Sequence, residues 1–241
     1  MQIAAPETAA LPFDKELTVR SNALVTLALV ATATCGASQA NAQPAAPFEA
    51  GKHYTLLTPA QPTSTDAGKV EVAEVFMFGC PGCFGFEPHI QRWLPTKADY
   101  VSFVRIPAPW NPMAVLHARA YYTAEALGKT EEIDGPFFNE FHVNGNYLDT
   151  EAKIAAFFED HGVDADTFKS TFNSFAVNAK LKRAEELIKR YRVQSTPSVV
   201  VNGKYLATGQ MAGSYEQWFA IINELAAREH AAAAGAPTPN P

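Results

Sequence analysis

The chain has 241 residues, of which 47% are hydrophobic and 18% are charged, and its formal net charge at pH 7 is −6. This length allows one large domain or two small ones, and the composition is that of an ordinary globular protein. The negative charge argues against a general nucleic-acid-binding surface, so we expect no nucleic-acid partner.

The first 42 residues are similar to an export signal, which would be removed from the mature protein. An uncharged, mostly apolar run at 23–34 follows Arg20, and Ala40-Asn41-Ala42 matches an A-x-A cleavage site. The run is too short to cross a bilayer, which takes about 20 residues. The acidic segment before Arg20 is unusual for a signal and favours a start site further along the chain.

Cys35 lies within this segment and offers a minor alternative, a cysteine that carries a lipid anchor. The residue before it is not the small Gly, Ala or Ser usual at such sites. Cleavage after Ala42 would remove Cys35 and leave two cysteines in the oxidising compartment that exported proteins enter. The Pro/Ala-rich residues 43–50 would then form a mobile lead-in.

A strand–helix–strand pattern opens the mature chain. Residues 53–57 predict a short edge strand, and 69–78 (KVEVAEVFMF) predict a buried strand, because burial on both faces produces a near-continuous apolar run. Residues 80–94 predict a helix, and 100–106 predict a second strand. This order implies a parallel pair of strands joined by a right-handed crossover.

The motif Cys80-Pro81-Gly82-Cys83 lies where that buried strand gives way to the helix. Two thiols three residues apart on a helix are neighbours and can close a short disulfide loop. Pro81 suits the first helical position, which leaves Cys80 at the helix N-terminus, where free amide donors and the helix dipole favour a thiolate. Because the thiolate is the attacking form, the motif predicts a redox dithiol with Cys80 as the nucleophile.

Two other interpretations of these cysteines are a zinc site and a purely structural disulfide. Structural zinc usually takes four Cys or His ligands, whereas this chain has three cysteines and scattered histidines, so we expect no metal site. A purely structural disulfide stays open on two cysteines alone, although the Pro-Gly pair between them at a helix start favours redox chemistry. Nothing in the sequence calls for a cofactor, and we expect none.

Residues 111–190 predict an inserted helical domain. Helical periodicity recurs in five segments: 113–127, 131–141, 150–160, 164–172 and 175–190.

The strand pattern returns after this insertion. Residues 197–201 and 204–208 predict two strands, and Asn202-Gly203 between them is a strong hairpin turn. Residues 214–228 predict a closing helix, and the low-complexity segment 231–241 predicts a disordered tail.

These segments resemble the thioredoxin superfamily and, more narrowly, the DsbA family of periplasmic thiol:disulfide oxidoreductases. Four matches carry the likeness: the strand at 74–79 leading into the Cys-x-x-Cys, Phe86-Glu87 after it, the helical insertion, and 193–197 followed by 201–205. The resemblance implies an α/β protein with a thioredoxin-like fold, formed by 51–110 and 191–230, and a periplasmic location.

The resemblance also implies roles for residues outside the dithiol. Pro197 would be cis and face the cysteines, and Thr196 would offer free backbone groups to an extended substrate, with Pro81 and Gly82 beside it. The alternative for Thr196-Pro197 is an ordinary turn at the start of a strand.

Glu74 would lie beneath Cys83 and exchange a proton with it, since a buried carboxylate tends to have a raised pKa. The alternative for Glu74 is a glutamate that reaches solvent, as we expect for Glu71.

One residue departs from the family pattern, in which histidine most often follows the proline between the cysteines. Gly82 stands there instead. Without that histidine the Cys80 thiolate should be less stabilised, and the disulfide should be a weaker oxidant. His89, further along the helix, is expected on the surface.

Together these features predict an enzyme that donates the Cys80–Cys83 disulfide to reduced exported proteins. By resemblance, a DsbB-like membrane protein would re-oxidise it, and we expect a monomer. One alternative is a reductase or isomerase, although an isomerase usually carries a dimerisation domain for which this chain has little room. Another is a peptide-binding or chaperone-like module with a structural disulfide.

Overall fold

The computed structural model describes residues 48–235, and a five-stranded sheet in the order β1-β5-β4-β2-β3 lies at its centre. Strands β2 and β3 are parallel, as the sequence predicts, and the other neighbouring pairs are antiparallel. The strands are β1 (Thr55–Leu56), β2 (Val70–Phe76), β3 (Val101–Pro107), β4 (Ser198–Val201) and β5 (Tyr205–Thr208).

Within residues 48–235, eight α-helices surround the sheet or connect its strands. A short 3-10 helix at Leu94–Thr96 follows the first of them. The α-helices are α1 (Pro81–Trp93), α2 (Pro112–Ala126), α3 (Thr130–His142), α4 (Glu151–Asp160), α5 (Ala165–Phe172), α6 (Phe175–Arg190), α7 (Gly209–Ala212) and α8 (Tyr215–Gly235).

Helices α2 to α6 occupy the chain between β3 and β4, where the sequence predicts a helical insertion. Four of these helices are capped at the N-terminus by a side-chain oxygen that accepts a hydrogen bond from the backbone N–H three residues later. The capping residues are Asn111, Thr150, Asp164 and Ser174. The predicted fold class, α/β with a thioredoxin-like sheet and a helical insertion, is therefore confirmed.

Strand β2 is buried along its whole length and contributes to two hydrophobic clusters. Val70 and Val72 pack with α1 and α8, whereas Ala73 and Val75 pack with the aromatic core of the inserted helices. Alternate side chains of a strand point to opposite faces, so burial on both sides explains the apolar run in its sequence.

The hairpin turn between β4 and β5 forms at Asn202-Gly203, as predicted. Both residues have positive φ, 49° and 63°, which is the geometry of the tight turn that matches strand twist. A Cβ on Gly203 would lie 2.1 Å from the backbone oxygen of Gln61, so only glycine fits at this position.

The prediction of disorder at the C-terminus is wrong for residues 231–235. Helix α8 continues to Gly235, because residues 231–234 are alanines, the strongest helix formers, and extend an anchored helix. The anchor includes Leu225 and Glu229, which are both buried. Residues 236–241 lie outside the described residues.

The predicted mobile lead-in is also ordered where the structure describes it, at residues 48–50. Arg228 of α8 donates a hydrogen bond to the backbone oxygen of Phe48 over 3.1 Å, and Ala50 forms a β-bridge with Tyr54. The rest of the lead-in, the export signal, its cleavage site and Cys35 lie outside the described residues. Within residues 48–235, no helix is both long and apolar enough to span a membrane.

Candidate active site

The two cysteines lie at the first turn of α1, directly after β2 and a short turn. Cys80 is the N-cap residue with an extended backbone, Pro81 occupies the first helical turn, and Cys83 is one turn further. The Cys80 side chain is half-buried, whereas Cys83 is 1% exposed. Of the two sulfurs, only that of Cys80 is accessible at the surface.

The surroundings of Cys80 favour its thiolate. A hydrogen bond from the Cys83 thiol is the largest cause, and partial burial opposes it. Hydrogen bonds from the Thr196 side chain and from the backbone N–H groups of Cys83 and Gly82 add to the effect, and together they lower the pKa of Cys80 to about 5. Cys80 is therefore ionised at neutral pH, although no histidine stands at position 82.

Cys83 has the opposite tendency. Burial raises the pKa of its thiol far above the usual value, and the hydrogen bond to Cys80 and the charge of Glu74 raise it further. A buried thiol of this kind stays protonated until a base removes its proton. The two sulfurs thus differ in both exposure and protonation.

Pro197 lies against the dithiol, although the chain separates them by the whole helical insertion. The Thr196–Pro197 peptide bond is cis, as the family resemblance implies. The Cys80 sulfur is 3.3 Å from the backbone oxygen of Thr196. A cavity of about 240 Å³ beside this contact is lined by residues of both segments and of α8, among them Gly82, Pro197, Tyr215 and Trp218.

Pairing within the sheet brings these distant segments together. Strand β4, which begins directly after Pro197, runs antiparallel to β2 with Val199 opposite Glu74. The start of β4 is therefore held next to the end of β2, where the turn to Cys80 begins.

Glu74 is 1% exposed, so it does not reach solvent. Burial is the largest influence on its carboxyl group and raises the pKa to about 7, against the opposing charge of Arg105. The Arg105 Nε donates a hydrogen bond to Glu74 Oε2 over 2.9 Å. The charge of Glu74 raises the pKa of the Cys83 thiol, and proton exchange between the two groups stays a prediction.

Sequence reasoning missed the rest of the charged group around Glu74. Arg105 of β3 also contacts Glu87 of α1 and Asp134 of α3. Its guanidinium lies 5.3 Å from the centre of the Phe76 ring. The sequence does contain one signal for this cluster: Arg105 lies inside the apolar strand run at 100–106, and an arginine buried there needs an anionic partner.

Two other expectations about side chains have mixed outcomes. Glu71 was expected in solvent but is 2% exposed, and it accepts hydrogen bonds from the backbone N–H and hydroxyl of Ser64. These local donors satisfy the carboxylate inside the fold. His89, expected on the surface, is partly exposed and contacts Arg92 and Tyr215.

His142, at the end of α3, also reaches the catalytic turn. Its Nε2 is 2.7 Å from the backbone oxygen of Phe78, and its ring stacks on Phe84 with centroids 4.7 Å apart. The inserted helices therefore contact the segment on both sides of the dithiol. Within the part of the chain that the structure describes, no cluster of three or more potential ligands is placed to hold a metal ion.

A thioredoxin-like sheet, a Cys-x-x-Cys at the start of α1 and a cis-proline against it define a thiol:disulfide oxidoreductase. The family model described as DSBA-like thioredoxin domain matches residues 71–217, which is more than half of the chain. The chain therefore belongs to the DsbA family.

Individual relatives agree with this family. The thiol:disulfide interchange protein DsbA of Pseudomonas syringae pv. tomato is 37% identical over 219 residues, covering 89% of this chain and 99% of the relative. The DsbA of Burkholderia cepacia is 38% identical and covers 70% of this chain and 79% of its own length. The crystal structure of Pseudomonas aeruginosa DsbA matches with a TM-score of 0.73 at 36% identity, over 78% of this chain and 97% of that one.

Proposed function

We propose that this protein donates the Cys80–Cys83 disulfide to reduced proteins in the periplasm. The observation that carries the proposal is the contrast between the two thiols: Cys80 is half-exposed with a pKa lowered to about 5, and Cys83 is buried with a raised pKa. A low pKa at Cys80 makes its sulfur a good leaving group and stabilises the reduced enzyme. Both effects favour transfer of the disulfide from the enzyme to the substrate.

The reaction starts when a substrate thiolate attacks the exposed Cys80 sulfur of the oxidised enzyme. A substrate–Cys80 disulfide forms, and the Cys80–Cys83 bond breaks with its electron pair on Cys83. The buried Cys83 thiolate then takes a proton from Glu74, directly or through one water. A second substrate thiolate attacks the first substrate sulfur, and Cys80 leaves as a thiolate.

Residues around the dithiol would hold the substrate during these steps. The backbone of Thr196 borders the Cys80 sulfur, and Pro197 and Gly82 line the small cavity next to it. An extended substrate segment placed here can pair with the backbone of Thr196. The substrate class is unfolded or reduced exported proteins, and a DsbB-like membrane protein would restore the disulfide.

Trapping of mixed disulfides tests the role of Cys80. Cys83→Ala is first converted to a Cys80–glutathione mixed disulfide, because two free thiols cannot join without an oxidant. A thiolate of a reduced substrate then attacks the Cys80 sulfur and glutathione leaves as a thiolate. The resulting substrate–Cys80 disulfide has no internal thiol to resolve it, so adducts should accumulate that a reductant removes. Cys80→Ala is the matched control and should give none. If Cys83→Ala forms no adducts with reduced periplasmic proteins, the assignment of Cys80 as the attacked sulfur is wrong.

A reductase is the second candidate, because Gly82 replaces the histidine most often found in the family. Equilibration of the Cys80–Cys83 couple with glutathione buffers separates the candidates. A potential near that of thioredoxin, about −270 mV, would favour the reductase and reject the donor. A bond that glutathione buffers cannot reduce at all would favour a structural disulfide in a peptide-binding module.

A further inference from the structure

Three carboxylates meet a single guanidinium in the buried group behind the dithiol. Arg105 Nε is 2.9 Å from Glu74 Oε2, its Nη1 is 3.3 Å from Asp134 Oδ2, and its Nη2 donates to Glu87. The four side chains are between 1% and 12% exposed. If all were ionised, the cluster would carry two uncompensated negative charges in a place where water cannot screen them. The cluster therefore holds a proton near neutral pH.

The hydrogen bonds indicate which carboxylates compete for that proton. Glu87 accepts from Arg105 on one oxygen and from Gln91 on the other, over 2.7 Å, so both of its oxygens have a donor. Asp134 accepts from Arg105 on Oδ2 only, and its buried Oδ1 has no hydrogen-bond partner among residues 48–235. A protonated carboxyl group tolerates such an oxygen far better than a carboxylate does.

Other charged groups add to the competition. Glu74 is influenced by Arg105, Glu87 and Asp134, and its own charge acts on Cys83. Asp134 interacts with the same Arg105 and Glu87. The charge of Glu125 on α2 also raises the pKa of Asp134, and the charge of Asp134 raises the pKa of Tyr121 on the same helix. Burial, as the largest cause, raises the pKa of Asp134 to about 7, as it does for Glu74.

Asp134 also stands closer to solvent than Glu74 does. A groove of about 950 Å³ is lined by Asp134, Glu87 and Arg105, together with Glu125, Lys180 and Arg183. Glu74 and Cys83 are absent from this lining among the described residues. Of these two carboxyl groups, Asp134 is therefore the one placed to exchange a proton with water in the groove.

We propose that Asp134 is a positioning residue for the catalytic proton, which it shares with Glu74 across Arg105 and exchanges with water in the groove. The proposal rests on the proposed function, in which Glu74 exchanges a proton with Cys83. Asp134 belongs to α3, so the inserted helices supply part of the proton path.

The proton balance follows in both directions. When Cys83 attacks a Cys80 mixed disulfide, the Cys83–Cys80 bond forms, the partner leaves as a thiolate, and the Cys83 proton goes to Glu74. Asp134 then releases its proton to the groove, which keeps the charge of the cluster constant. During disulfide donation, Glu74 gives its proton to the Cys83 thiolate, and Asp134 takes one from the groove.

Rapid mixing of the reduced enzyme with oxidised glutathione tests this proposal. Acid-quenched flow separates attack by Cys80 from the later attack by Cys83. Asp134→Asn keeps the shape and the acceptor for Arg105 but cannot ionise. Glu74 therefore loses the negative neighbour that raises its pKa in those molecules in which Asp134 has given up the shared proton. The pH midpoint of the Cys83 step should therefore fall by about one unit, while the pH profile of the Cys80 step stays unchanged. Glu132→Gln, on the exposed side of α3, is the matched control and should shift neither step.

The failures of the two proposals are distinguishable. If Glu74→Gln removes the pH transition of the Cys83 step and Asp134→Asn leaves it in place, the role of Asp134 is wrong and that of Glu74 stands. If Glu74→Gln has no effect either, the role of Glu74 in the proposed function is wrong.

A measurement on the unaltered protein covers the case in which Asp134→Asn does not fold. The reduced-minus-oxidised infrared difference spectrum should contain two protonated-carboxyl bands of opposite sign. Carbon-13 labelling of aspartate should move one of the two bands and leave the other. A difference spectrum without an aspartate band would overturn the proposal.

Discussion

Gly82 packs so closely against Pro197 that a Cβ at position 82 would lie 3.1 Å from the proline Cδ. The same Cβ would be 3.7 Å from the Cys80 sulfur. Position 82 therefore borders both the Cys80 sulfur and the cis-proline, so a side chain placed there can affect the charge and the packing of the site.

Gly82→His should make the enzyme a stronger oxidant. An imidazolium next to Cys80 lowers the pKa of that thiol, and a shift of one unit changes the equilibrium constant with glutathione about tenfold toward the reduced enzyme. Gly82→Ala introduces the contact with Pro197 without the charge and is the control. Equal shifts in both variants would show that packing, not charge, sets the potential.

Alkylation of Cys80 should be half-maximal at a pH of about 5, where its thiolate forms. Cys83→Ala should raise this midpoint, because the hydrogen bond from the Cys83 thiol is the largest cause of the low pKa. The rate of reaction with iodoacetamide across pH measures both values. A wild-type midpoint near the ordinary cysteine value of 9.0 would show that the site does not stabilise the Cys80 thiolate.

Between about pH 5 and pH 9, the stability of the reduced form should rise with pH relative to that of the oxidised form. In more alkaline solution the raised pKa of Cys83 opposes this trend. The folded pKa of Cys80, about 5, is below the unfolded value of 9.0, so its contribution is complete above pH 9 and is lost as pH falls through 5. The oxidised protein has no thiolate and serves as the reference. Denaturant unfolding of both forms at several pH values measures the difference, and parallel stability curves would count against this prediction.

Arg105→Met should lower the free energy of unfolding by roughly 3–5 kcal/mol at neutral pH, because three buried carboxylates lose their common partner. The loss should shrink in acid, where Glu74 and Asp134, whose pKa values are raised to about 7, are protonated.

Lys153→Met is the control for Arg105→Met, since both members of the Lys153–Asp149 pair are about half exposed. Its effect should be much smaller than that of Arg105→Met, because solvent screens this exposed pair. Urea unfolding measures both variants, and equal losses would mean that the buried cluster contributes no more than a surface pair.

The sequence by itself determined most of the secondary structure and the centre of the site. The apolar run of β2, the helix start at Cys80-Pro81 and the Asn202-Gly203 turn follow from local periodicity, backbone preference and capping. These are properties of neighbouring residues, so they are legible without the fold. The cis geometry of Pro197 came from resemblance to a family, because most X–Pro bonds are trans.

Only the tertiary structure decided which charged side chains meet inside the protein. Glu74 and Arg105 face each other through the β2–β3 register, and Asp134 joins them from a helix of the insertion. The helical structure of residues 231–235 likewise depends on the anchored part of α8 that precedes them. Hydrophobic periodicity specifies which face of an element is buried, but the partners of a buried charge are set by the packing of segments distant in the chain.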